Sequence, residues 1–133
     1  MNYANIITDT QTVLNGMTLN MLSASKKILL VTDYSIESFN RVVNYHDILT
    51  KRFFISKNII KLLVNKKSLK DCFRLWDLAK ISGLPVQGVL PFDKNFNKSV
   101  FAEGESAMQR SCFCRQVGKI IENGLFKGVP NVN

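Results

Sequence analysis

The sequence contains no apolar run approaching the ~20 residues that a bilayer-spanning helix needs, so no transmembrane segment is expected. Its first residues, Met1 to Asp9, lack the basic start and long apolar stretch of a secretory signal. Cysteine is scarce: Cys72, Cys112 and Cys114 are the three present. Cys112 and Cys114 stand one residue too close for a CxxC pair, and any disulfide would leave one thiol over. Reduced thiols in a cytoplasm are the expectation. No histidine lies near these cysteines in the sequence, which argues against nucleophilic catalysis. Seven glycines occur, and no pair of them fits G-x-x-x-x-G-K-[ST], the loop whose backbone amides cradle phosphates. Internal repeats, low-complexity stretches and evident linkers are also missing.

What remains is an ordinary globular balance. The 133 residues suffice for one domain with one core. The net charge of +8 is unevenly placed. Between Thr50 and Arg74 stand eight cations, among them Lys61, Lys66, Lys67 and Lys70, against the single anion Asp71, a net +7. Such a cluster can meet nucleic acid, an anionic membrane or an acidic partner. The plainer reading, a solvated face that keeps the protein dissolved, is preferred.

Four short apolar runs are rich in β-branched residues: Ile6-Ile7, Ile28 to Val31, Ile59 to Val64, and Val86 to Leu90. The three longer ones alternate poorly, as strands buried on both faces of a parallel sheet do. Helical spacing fills the intervals. Leu14, Met17 and Met21 share one stripe. Ile36, Phe39, Val42, Val43, His46 and Leu49 share another, with Asp33 or Ser35 as its cap. Leu69, Cys72, Phe73, Trp76 and Ala79 form a third, stopped by Gly83 and Pro85. A last helix is expected from about Ser106 to Glu122, burying Met108, Cys112, Val117 and Ile120 or Ile121. His46 and Trp76 read as core residues. The expectation is an α/β fold, a mostly parallel sheet of about four strands flanked by helices. Residues 1–126 form the domain and 127–133 a frayed tail. The shortest strand begins almost at Met1, as though the chain starts in the middle of a domain.

Parallel α/β sheets bind ligands beyond the C-terminal ends of their strands. Polar groups follow every run: Asp9 the first, Thr32 and Asp33 the second, Asn65 with Lys66 and Lys67 the third, and Pro91, Phe92 and Asp93 the fourth. Each also suits a turn or a helix cap for local reasons.

The pieces NIITDTQ, KKILLVTDYSIESFNRVVN, IIKLLVNK and ISGLPVQGVLPFDKNFNKSVFAEGES follow one another as in the MinD/ParA group of deviant-Walker P-loop ATPases. The sequence resembles that family over residues 3 to 122, nearest its CpaE/TadZ type, which localises pilus-assembly machinery. The resemblance implies an incomplete SIMIBI-type fold and a site for ATP and Mg²⁺. Asp9 matches the acidic residue that acts on the magnesium through a water, a task that suits a carboxylate. Asn65 matches the residue that hydrogen-bonds the adenine edge; it reads equally well as a turn before Lys66 and Lys67. Pro91, Phe92 and Asp93 match the segment that packs on the base. The family's phosphate-binding loop has no counterpart, and Thr10-Gln11 replaces the usual residues after the Asp. The resemblance therefore implies a C-terminal half that does not hydrolyse ATP alone. It would need an N-terminal half or a homodimer partner, would serve a pilus or secretion machine, and would sit in the cytoplasm or peripherally at the inner membrane or cell pole. The alternative is a non-enzymatic module that binds DNA non-specifically, or an acidic partner, through the basic 50–74 segment.

Overall fold

The computed structural model describes residues 3, 5–67, 75–94, 96 and 111–125. Strands β1 (Ile28–Thr32), β2 (Ile60–Lys67) and β3 (Val86–Pro91) form a parallel sheet in the order β1-β2-β3. The α-helices among the described residues are α1 (Gly16–Ala24), α2 (Ile36–Asp47), α3 (Leu75–Ser82) and α4 (Cys112–Ile120). The parallel α/β reading holds. Parallel neighbours need long crossovers, and α2 and α3 supply them.

Local chemistry starts each helix. The Asn15 side chain accepts from the Thr18 N–H at 2.8 Å to cap α1. Ser35 caps α2 by accepting from the Ser38 N–H, and Ser111 caps α4 by accepting from the Phe113 and Cys114 N–H groups. These bonds satisfy amides that have no partner inside the helix.

Alternation splits each strand between two faces. Ile28, Leu30 and Thr32 of β1 and Ile60, Leu62 and Val64 of β2 are buried on one face. There they meet Phe39, Val42 and Leu49 from α2 and its extension, with Leu22 from α1. In β3 the ladder skips a residue, since Leu62 pairs with Val86 but Leu63 pairs with Gly88. This bulge turns Val86 and Val89 to the main core and Gly88 and Leu90 to the opposite face, where α4 packs. At Gly88 a methyl group would fall 2.6 Å from Ile120 Cγ1, so glycine permits the helix its approach.

Three sequence expectations change. Ile6-Ile7 forms no strand: both residues are 79% exposed, and an open groove of about 650 Å³ separates their segment from α1 and the start of β1. A ladder needs a partner strand about 4.8 Å away, and the pairings of the described residues include none for this segment. The sheet therefore has three strands rather than four among the described residues, and β1 is an edge. Met17 is 72% exposed while Thr18 and Leu22 are buried, so the buried face of α1 is rotated from the expected stripe. Ile36 and Cys112 are likewise exposed, whereas Phe39, Val42, His46, Leu49 and Ile120 are buried as expected. Leu69, Cys72, Phe73, Met108 and the tail 127–133 lie outside the described residues, as does the Trp76 side chain. No described helix is long and apolar enough to cross a membrane.

Candidate functional site

The C-terminal ends of the three strands share one end of the sheet, and the polar residues that follow them gather there. β1 hands over to α2 through Thr32, Asp33, Tyr34 and Ser35. Ser35 Oγ donates to Asp33 Oδ1 at 2.7 Å while accepting from the Ser38 N–H. The Ser35 hydroxyl, then that of Ser38, hold the Asp33 carboxyl below its usual range, and the nearby positive charge of Lys66 adds a smaller pull.

β2 ends irregularly. Lys66 adopts φ 57°, in the left-handed region that non-glycine residues seldom occupy, and the β2–β3 register shifts between Val64 and Lys67. The Lys66 N–H donates to Asn65 Oδ1 at 2.8 Å. That bond uses one lone pair of the amide oxygen; the second lone pair and the NH₂ group remain chemically able to meet a base edge. Beyond the bulge, Lys67 pairs with Pro91, and the Phe92 N–H donates to the Lys67 carbonyl at 2.9 Å. The Lys67 ammonium lies 5.7 Å from the centre of the Tyr34 ring, a cation–π distance that ties the ends of β1 and β2 together.

β3 ends at Pro91, which has no N–H to continue a ladder. Phe92 is half exposed, and its ring offers an apolar face at the rim. Asp93 accepts from Ser111 Oγ at 3.1 Å, which joins the β3 end to the cap of α4, and Phe96 packs on Phe113 with ring centres 5.0 Å apart.

The fold thus brings Asn65, Pro91, Phe92 and Asp93 to one rim, with Lys66 and Lys67 beside them. Asp9 is exposed, in a segment without regular structure that precedes α1. Lys61 lies within β2, half buried, and Lys70 lies outside the described residues. Among the described residues the basic 50–74 cluster is therefore divided. Lys51, Arg52 and Lys57 precede β2, whereas Lys66 and Lys67 close it, and a strand of this length spans roughly 20 Å.

Three participants escaped the sequence reading: Tyr34 under Lys67, Ser35 as the partner of Asp33, and Ser111 as the partner of Asp93. Ser35 had a local signal, the cap spacing. Ser111 had none that outweighed the longer helix read through it. The rim offers an amide, an aromatic face and two cations, a set suited to holding a ring and an anionic group. No three His, Cys, Asp or Glu side chains cluster as metal ligands among the described residues.

No family model matches the sequence, and no curated protein does. Solved structures do match. A ParA family ATPase from Chlorobium tepidum overlays with a TM-score of 0.67 at 18% identity, covering 80% of this chain and 46% of its own. The MinD cell division protein of Aquifex aeolicus gives 0.66 at 14% identity, over 82% and 48%. The MinC:MinD complex from the same organism gives 0.69 at 14%, over 89% and 49%. The chain spans about half the length of these structures, and over that half it carries the α/β fold of the ParA and MinD ATPases.

Proposed function

We propose that the chain is the C-terminal part of a MinD/ParA-like ATPase domain that positions or assembles a pilus or secretion machine, and that it supplies the adenine side of the nucleotide site. The observation that carries this reading is the edge of β1. Its sequence, Ile-Leu-Leu-Val-Thr, has no charge, proline or bulge of the kind that protects a natural edge strand, and Val31 is 57% exposed. A parallel strand of this composition is suited to a neighbour on both sides. The groove beside it and the half-length overlay both support a second half of the domain docking along β1, whether that half belongs to the same polypeptide or to another.

Within the completed domain, Asn65 would hydrogen-bond the base, and Phe92, with Pro91 and Asp93 fixing its backbone, would pack on it. The donor set fits an adenine ring: one amide with donor and acceptor, and one apolar face. Asp9 would act on Mg²⁺ through a water. A lone exposed carboxylate suits that role, since magnesium keeps most of its waters. When bound, the magnesium ion would supply charge neutralisation at the phosphates. Residues of this chain would orient the base, and the phosphate cradle would come from the other half. The CpaE/TadZ-like role, in the cytoplasm or peripherally at the inner membrane or cell pole, belongs to the same proposal. A rival reading, DNA or acidic-partner binding through the 50–74 segment, has less support, because its described exposed cations divide between two ends of the sheet.

The test is a Mg-ATP titration of the chain alone and with a matching N-terminal half. Weak or no binding alone, and tight binding by the pair that Asn65→Ala and Phe92→Ala weaken, are the expected results. Tight Mg-ATP binding by the isolated chain would overturn the half-site proposal. Failure of the pair to bind would overturn the nucleotide reading altogether.

A further inference from the structure

The loop between α2 and β2 lies at the end of the sheet opposite Asn65 and Phe92, and the nucleotide reading makes no use of it. It is not slack. Leu49 is fully buried and Ile55 almost so. The Ile55 N–H donates to the Leu49 carbonyl at 3.0 Å, and the Phe53 N–H to the Ile48 carbonyl at 3.3 Å, closing a wide turn over Ile48–Arg52. Between these anchors Phe53 and Phe54 face outward. Phe54 is 86% exposed, more than any other large hydrophobic residue among those described.

Phe54 also holds φ at 54°, where a bulky side chain is an outlier and glycine would sit without strain. Local preference thus disfavours both the residue and its exposure. Cations flank Phe54 along the chain. Lys51, Arg52 and Lys57 are exposed on the same loop. The pairing of Ile28 with Ile60 sets the starts of β1 and β2 level, which brings exposed Lys26 to this end as well. Asp47 is bonded to Lys51 at 2.7 Å, and the salt bridges of the described residues engage none of Arg52, Lys57 and Lys26.

We propose that this aromatic knuckle docks the protein on an anionic lipid surface. Phe54 and Phe53 enter the boundary between headgroups and acyl chains, and Arg52, Lys57 and Lys26 meet the lipid phosphates and carboxylates. An exposed aromatic pair on an anchored loop, flanked by cations, fits an interface that accepts insertion anywhere along it. A nucleic acid strand would need ring faces spaced along a basic track, and two adjacent rings on one tip do not provide that. The proposal requires neither nucleotide nor a second half of the domain, so it stands or falls apart from the preceding section.

Co-sedimentation with phosphatidylcholine vesicles, with and without phosphatidylserine, tests it. Binding is expected only when phosphatidylserine is present, falling as salt rises. Phe54→Gly removes the anchor yet relaxes the backbone, so its thermal midpoint should match or exceed the parent while vesicle affinity drops at least roughly tenfold. Phe54→Trp should keep binding, and Lys57→Ser should lose roughly fivefold. Three results would each overturn the proposal: no sedimentation of the parent with phosphatidylserine vesicles, equal binding by Phe54→Gly, or tighter Phe54-dependent binding to a single-stranded oligonucleotide than to vesicles.

Discussion

Replacing Gly88 with alanine tests how closely α4 is held against β3. The new methyl group would lie 2.6 Å from Ile120 Cγ1 and nearer still to Cδ1, where ordinary contact begins at 3.4 Å, so the two must part by at least about 0.8 Å. Ile120 is only 7% exposed, and its branched Cβ resists a change of χ1. Overpacking of this kind costs about 1–3 kcal/mol. Removing glycine from a strand returns about 0.5–1 kcal/mol through the unfolded chain. The balance is a loss of about 1–2 kcal/mol, or about 4–10 °C in melting temperature for a domain of this size. Urea denaturation of Gly88→Ala, Ile120→Ala and the double variant measures it. Ile120→Ala alone should cost about 2–4 kcal/mol as a cavity. The double variant should be better than additive by at least about 1 kcal/mol, since the added methyl group fills part of that cavity. A Gly88→Ala protein as stable as its parent, with a cycle additive to within about 0.5 kcal/mol, would refute the contact.

Three further outcomes follow from the geometry. His46 is buried, and removal from solvent lowers its pKa, opposed by the charge of Asp47 and reinforced weakly by Lys57 and Lys51. Above pH 6.5 the ring is neutral folded and unfolded; as pH falls below 6.5 the unfolded chain takes the proton first, so stability should decline by up to about 1.4 kcal/mol per pH unit until the lower folded pKa is passed. His46→Gln should flatten that part of the urea-midpoint profile, and an unchanged slope would place the acid sensitivity in the carboxylates Asp33 and Asp47 instead. Ser111→Ala removes the acceptor of two backbone amides and the hydroxyl that donates to Asp93, so it should destabilise by about 1 kcal/mol in chemical denaturation; a neutral result would mean that water caps α4 equally well. Val31→Lys should change the chain's own stability by less than about 0.5 kcal/mol, because Val31 is exposed. The same change should abolish docking of a second half along β1 in a pull-down, and undiminished capture would remove β1 from that interface.

The strands and helices that carry the site were legible because burial leaves a pattern. Ile28 to Val31, Ile59 to Val64 and Val86 to Leu90 read as strands buried on both faces, and each run carries a strand. However, β1 is covered on one face and Val31 on the other is exposed, and β2 begins one residue later, at Ile60. The stripe through Phe39, Val42, His46 and Leu49 predicted the face of α2 that is buried. Ile6-Ile7 failed because β-branched composition measures suitability for a ladder, whereas pairing requires a partner strand within reach. Met17 failed because α1 is short and its apolar residues nearly encircle it, so packing chose the face.

Local composition and period were enough for the parallel α/β class, the three longer runs that pair and the polar residues at their ends. The tertiary structure alone decided which of them meet. The bulge before Gly88 chose the face that α4 covers. The left-handed turn at Lys66 accompanies the register shift that sets Lys67 against Pro91 and Phe92, while Asp9 stands on a segment without regular structure. The same packing divided the described cations of one basic stretch between two ends of the sheet and left Phe54 in water on the loop that carries Arg52 and Lys57. Such outcomes depend on register and on backbone dihedrals, which one-dimensional periodicity does not encode.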